Sequence, residues 1–168
     1  SILFTSCKSR KPPVLSGDEP VAVTDFIDFF QPLGLSYQVG DTLLDKKEKD
    51  SLLISYKNFT SLVPDTVLTK VFGKGVKPKI YALGKAQVSK AETYLLVKAG
   101  TAARKALILL IFDAKEKFIA SMPVLVPDSR KETAQSFILD KRFAITRSIQ
   151  RKNADGSLSE GKDVYVLN

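Results

Sequence analysis

The spacing of apolar and polar residues changes near Pro78. Before it, apolar side chains recur at helical intervals. Thr24 is placed to cap a short helix carrying Phe26, Ile27, Phe29 and Phe30, which Pro32 stops. Leu35, Tyr37 and Val39 alternate with polar residues, the mark of a short strand. The charged run 45–50 reads as a solvated loop, with Asp50 or Ser51 capping the next helix. There Leu52, Tyr56, Phe59 and Val63 follow at spacings of four, three and four, on one helical face, until Pro64. Residues 65–72 add a turn or two, closed by Gly73 and Gly75.

After Pro78 the pattern is that of strands. Residues 79–82 look extended, and 93–98, 105–113 and 117–126 read as three strands, with 113–117 a tight connection between the last two. Pro127 and Asp128 break the chain. Further strands are expected at 136–139, 143–151 and 164–166, with a turn over 153–156, where Asn, Asp and Gly tolerate positive φ. The Ala, Leu and Lys content of 97–110 also suits a helix, but the seven-residue apolar run Ala106 to Phe112 favours a buried strand. Helices gathered early and strands gathered late predict an α+β fold: short N-terminal helices followed by a mainly antiparallel β-sheet meander. The last strand has no closing turn and reads as an edge whose partner lies beyond this fragment.

Composition narrows the chemistry. An apolar content of 44% over 168 residues suffices for a real core, expected as one globular domain over residues 21–168. The absence of histidine excludes Ser-His-Asp and Cys-His nucleophile systems and most zinc sites. A single cysteine, Cys7, excludes an intrachain disulfide. No cofactor or metal motif is present, and no run beyond the N-terminal fragment approaches the length of a membrane-spanning helix. The net charge of +8 concentrates anionic partners without choosing among them.

The opening residues Ser1-Ile2-Leu3-Phe4-Thr5-Ser6-Cys7 place a short apolar run and two small residues before the cysteine, and Lys8 follows it. This Ser-Cys-Lys junction resembles the signal-peptide cleavage site of envelope lipoproteins of Gram-negative bacteria, particularly those of the Bacteroidota. Phe4 stands where the pattern usually has Leu, Val or Ile, and a basic leader is missing. The resemblance covers about the first dozen residues and implies a destination, not an activity. It makes residues 1–7 the remnant of a signal peptide and Cys7 the site of lipid attachment, carrying palmitate-type acyl chains. Residues 8–20, basic and stiffened by Pro12 and Pro13, then form a tether. The partner so implied is a lipid bilayer, most simply the outer membrane. The alternative is a buried cysteine in an N-terminal strand over residues 2–7.

Other candidate sites are sparse. Asp25 and Asp28, three apart on the first helix, are the tidiest carboxylate pair for acid–base work on a glycan or cell-wall substrate. Residues 73–77, Gly-Lys-Gly-Val-Lys, lack the spacing of a P-loop but can still form an anion-holding nest. The strand 143–151 carries more information. At period two Phe143, Ile145, Arg147, Ile149 and Arg151 share a face, so either the arginines snorkel to a rim or an acidic partner meets them. With Lys141, Arg142 and Lys152 they make a candidate surface for an anionic ligand or partner chain; residues 129–152 hold seven cations against two anions. With few aromatics to interleave, nucleic acid is not an expected partner. The expectation is a non-enzymatic, lipid-anchored envelope protein, acting as a binding module or an accessory subunit of a membrane assembly. The alternatives are a glycan or cell-wall hydrolase using Asp or Glu, and an anion-binding module working through residues 141–152.

Overall fold

The computed structural model describes residues 14–126 and 133–166. In chain order these form α1 (Val23–Asp28), β1 (Tyr37–Gly40), α2 (Thr42–Asp45), a 3₁₀ turn (Asp50–Leu52), β2 (Leu53–Ile54), α3 (Tyr56–Leu62), α4 (Thr66–Phe72), β3 (Lys79–Gln87), β4 (Glu92–Gly100), β5 (Lys105–Asp113), β6 (Phe118–Leu125), β7 (Thr133–Leu139), β8 (Ile145–Lys152) and β9 (Leu158–Tyr165). Antiparallel β-structure with a few short helices dominates the described residues, and the strands form two sheets rather than one. The larger runs β2-β3-β4-β5-β6 and the smaller β1-β7-β8-β9.

The larger sheet is covered on both sides. Leu95, Val97 and Ala99 of β4, with Ala106, Ile108, Leu110 and Phe112 of β5, face a core built with α1, α3 and α4. The alternate residues Tyr94, Leu96, Leu107, Leu109 and Ile111 face a second core shared with Phe137, Leu139 and Ile145 of the smaller sheet and Leu44 of α2. That is why β4 and β5 read as continuous apolar runs: an antiparallel strand alternates only when one face is wet, and here neither is. The helical alternative for 97–110 gives way for the same reason. Two strands joined at 101–104 place Val97, Ala99 and Ala106 to Leu110 in one or the other of two cores.

Phe26 sits at the centre of the helix-side core, its ring centroid 5.5 Å from that of Phe30, 6.4 Å from Phe59 and 6.1 Å from Phe112. Asn58 of α3 is buried and donates to the carbonyls of Leu15 and Gly17, at 3.2 and 2.8 Å. Leu15 itself is fully buried, so residues 15–17, within the stretch expected as tether, dock onto α3.

The helices begin elsewhere than the sequence suggests. α1 starts at Val23 without a side-chain cap, and the Thr24 hydroxyl instead donates to Glu116 across the β5–β6 loop. α3 starts only at Tyr56, because the Ser55 hydroxyl accepts from the Asn58 amide and caps it there. Leu52 therefore lies outside the helix, and Leu53 and Ile54 pair with Tyr81 and Ile80 of β3.

Three hairpins share one loop design. In Asp113–Lys117, Asp140–Ala144 and Asn153–Ser157 the first residue's amide donates to the fifth residue's carbonyl, and the fourth residue's amide donates to the first residue's carbonyl. The fourth residue has positive φ in each: Glu116 at 61°, Phe143 at 63° and Gly156 at 87°. This is a type I turn closed by a residue in the left-handed region. The Asp113 and Asp140 carboxylates each accept two further loop amides.

Two outcomes follow. Phe26→Ala is expected to cost about 3–5 kcal/mol, as buried aromatic truncations do, measured by urea unfolding. Burial, aided by the nearby Glu92 carboxylate, pushes the Tyr94 phenol from 10.0 up to about 12. A group raised in the fold stabilises it fully below its unfolded pKa and loses that contribution as pH climbs through the folded one. Stability is therefore expected to fall between pH 10 and about 12, with phenolate absorbance from Tyr94 lagging behind that of exposed tyrosines.

Candidate functional site

In the apolar run of β4, Lys98 stands on the same face as Tyr94 and Leu96, opposite Leu107 of β5 and Tyr81 of β3. An ammonium group there must be neutralised or expelled. It is held by three acceptors. Its Nζ donates to the Leu43 carbonyl at 2.7 Å, to the Lys46 carbonyl, and to Glu48 Oε2 at 3.1 Å. Both side chains of the Lys98–Glu48 pair are only 6% exposed. The two carbonyls belong to Leu43, inside α2, and to Lys46, the residue after it; the Leu43 carbonyl also accepts from the Lys46 amide. The run 45–50 is therefore not a fully solvated loop. Glu48 turns inward because a buried cation requires it.

Around this fixed pair lies a groove of about 580 Å³ lined by Lys46, Lys47, Lys77, Lys79, Lys98 and Lys105, with Asp45 and Glu48 as its carboxylates. Lys98 and Glu48 neutralise each other, and the Lys77 ammonium lies 5.7 Å from the centre of the Tyr56 ring. Among the described residues, Lys46, Lys47, Lys79 and Lys105 meet no acidic side chain. These lysines come from three separate parts of the chain and line one concave surface. Lys77 ends the Gly-Lys-Gly-Val-Lys segment, so part of that candidate anion loop reaches the groove, although Gly73 and Gly75 do not line it.

The candidate cations of 141–152 do not converge in this way. Lys141 and Arg142 lie exposed in the β7–β8 loop, and Arg151 and Lys152 lie exposed at the far end of β8. At about 3.3 Å per residue the two pairs stand roughly 25–30 Å apart. Arg147, between them, is engaged. It donates to the Pro123 carbonyl at 2.7 Å and to Asp163 at 3.3 Å, and its guanidinium lies over the Tyr165 ring at 5.5 Å. So Arg147 meets an acidic partner and ties β8 to the edge of the larger sheet. Arg147, Ile149 and Arg151 do share a face of β8 with Ile145, but Phe143 falls in the preceding loop.

The carboxylates near α1 also have partners. Asp28 lies 3.9 Å from Lys85, Glu116 accepts from Thr24, and Asp113 accepts from two loop amides. Asp25 stands in the first turn of α1. Cys7 lies outside the described residues. Among the described residues no cluster of three or more acidic, histidine or cysteine side chains is placed to hold a metal, and no helix is long and apolar enough to cross a membrane. Compared with known proteins, the chain matches no family, no curated sequence and no solved structure.

The lysine groove escaped sequence reading because its members are spread from residue 46 to residue 105. One signal was present: a lone lysine inside the run Tyr94-Leu95-Leu96-Val97-Lys98-Ala99 demands a buried partner. Glu48→Ala is expected to destabilise the fold by about 3–5 kcal/mol, since it leaves a buried ammonium short of its countercharge. Replacing both partners, Lys98→Met with Glu48→Leu, is expected to recover most of that loss. Urea unfolding of the two single variants and the double variant measures it.

Proposed function

We propose that this chain is a non-catalytic binding module of a bacterial envelope, tethered to a membrane through an acylated Cys7 and receiving an anionic ligand in the lysine groove. The observation that carries the ligand reading is the convergence of Lys46, Lys47, Lys79 and Lys105, without acidic partners among the described residues, around the rigid Lys98–Glu48 pair. Like charges held together in a concavity repel one another, and an anion entering there relieves that repulsion. The buried pair fixes the wall from which those side chains project. The tether is supported by the Ser6-Cys7-Lys8 junction and the basic, proline-containing residues after it. On this reading the chain is an accessory subunit held at a membrane surface, with the outer membrane its address.

Retention of the intact protein on phosphocellulose, followed as salt rises, tests the groove. Lys79→Glu with Lys105→Glu is expected to move elution to much lower salt, while Arg151→Glu with Lys152→Glu moves it far less. Equal loss in both variants, or loss only in the second, would overturn the groove reading. Cys7→Ser is expected to shift the native protein from the membrane to the soluble fraction. Unchanged partitioning would overturn the tether.

A further inference from the structure

Lys46, Lys47 and Glu48 line two cavities, not one. One is the lysine groove. The other is a hollow of about 940 Å³, at the upper end of the size range of small-ligand sites. Its apolar lining includes Leu15, Phe29, Tyr37, Leu43, Leu52 and Leu83. All of these except Leu15 are only half-buried and keep part of their apolar surface open to solvent. Covering wetted apolar surface is favourable, and nothing about the charged groove next door supplies that cover.

We infer that the two cavities take the two ends of one amphiphilic phosphate, with the phosphoryl group among the lysines and an alkyl chain in the hollow. This rests on the reading of the groove as an anion site and names the ligand class. The choice of phosphoryl follows from the donor set. Among the described residues the groove is lined by lysines and no arginine. Lysine offers a compact point charge with rotatable donors, which suits a tetrahedral anion. The planar fork that grips carboxylates in bidentate fashion belongs to arginine. The orientation follows from the charges of the two cavities. The hollow balances Lys46, Lys47 and Lys49 against Asp28, Glu48 and Asp50 on a largely apolar lining, whereas the groove sets six lysines against Asp45 and Glu48. The charged end is thus directed to the groove and the apolar end to the hollow. A bilayer surface does not satisfy both cavities, because the chain must leave the bilayer to enter the hollow. The occupant is a single amphiphile.

Calorimetric titration of the intact protein with methyl phosphate and with octyl phosphate, kept below its micellar concentration, tests this. Each methylene that becomes fully buried is expected to tighten binding about fourfold, so octyl phosphate should bind at least a hundredfold more tightly than methyl phosphate. Lys79→Glu with Lys105→Glu should weaken both ligands in parallel. Ser51→Trp, and separately Gln31→Trp, place bulk in the hollow from exposed lining positions. They should remove the chain-dependent gain and leave methyl phosphate unchanged, with melting temperatures close to the parent's. Equal affinity for the two phosphates overturns the inference while the anion-site reading survives. Failure of both to bind overturns both. Octyl phosphate binding that neither set of variants alters is surfactant adsorption, and it also overturns the inference.

Discussion

The constraint on which this fold depends is that β4 and β5 present apolar side chains on both faces. A sheet whose centre is apolar on two sides cannot leave either to water, so it needs two covers of different kinds. The early helices provide one, and the smaller sheet with α2 provides the other. At the sheet edges, polar side chains stand in for missing backbone pairs. The Gln135 amide both donates to and accepts from the Val126 backbone, and Arg147 donates to the Pro123 carbonyl on edge strand β6. The stacking is held by packing in the middle and by these directed bonds along one edge.

Lys98 follows from the same constraint. A cation between two apolar layers survives only if acceptors surround it, so Leu43 of α2, Lys46 and Glu48 are held over β4. Those contacts fix the position of residues 46–48, which line both cavities. The polar residue that the core tolerates least is thus the one that shapes the molecule's surface.

Much of this was legible in the sequence, for local reasons. β5 and the loops at 113–117 and 153–156 carry their instructions in adjacent residues: an apolar run, an Asp that accepts loop amides, a Gly at positive φ. The division into two sheets was not legible, because which strand lies against which is decided by long-range packing. The early start expected for the second helix shows the limit of periodicity. Leu52 has the right spacing, yet Ser55 caps the helix later and Ile54 gains more by pairing with β3. The candidate site divided along the same line. Residues 141–152 are dense in cations along the chain but spread along a strand in space, while the lysines that converge are sparse along the chain. Charge counted along a sequence is a poor guide to charge gathered at a surface, because strands extend and folds bring distant segments together.

Phe143 carries a last consequence. It occupies the left-handed position that Gly156 fills in the neighbouring hairpin, at a cost of about 1–2 kcal/mol for a residue with a β-carbon. Its ring packs against the core between the sheets, whereas the Gly156 loop is exposed. The β7–β8 corner is thus frustrated locally and satisfied globally. It gains its shape from the layer it plugs into rather than from its own four bonds, so this corner and the closing of the sandwich are one cooperative event. The β8–β9 tip, by contrast, is free to form by itself.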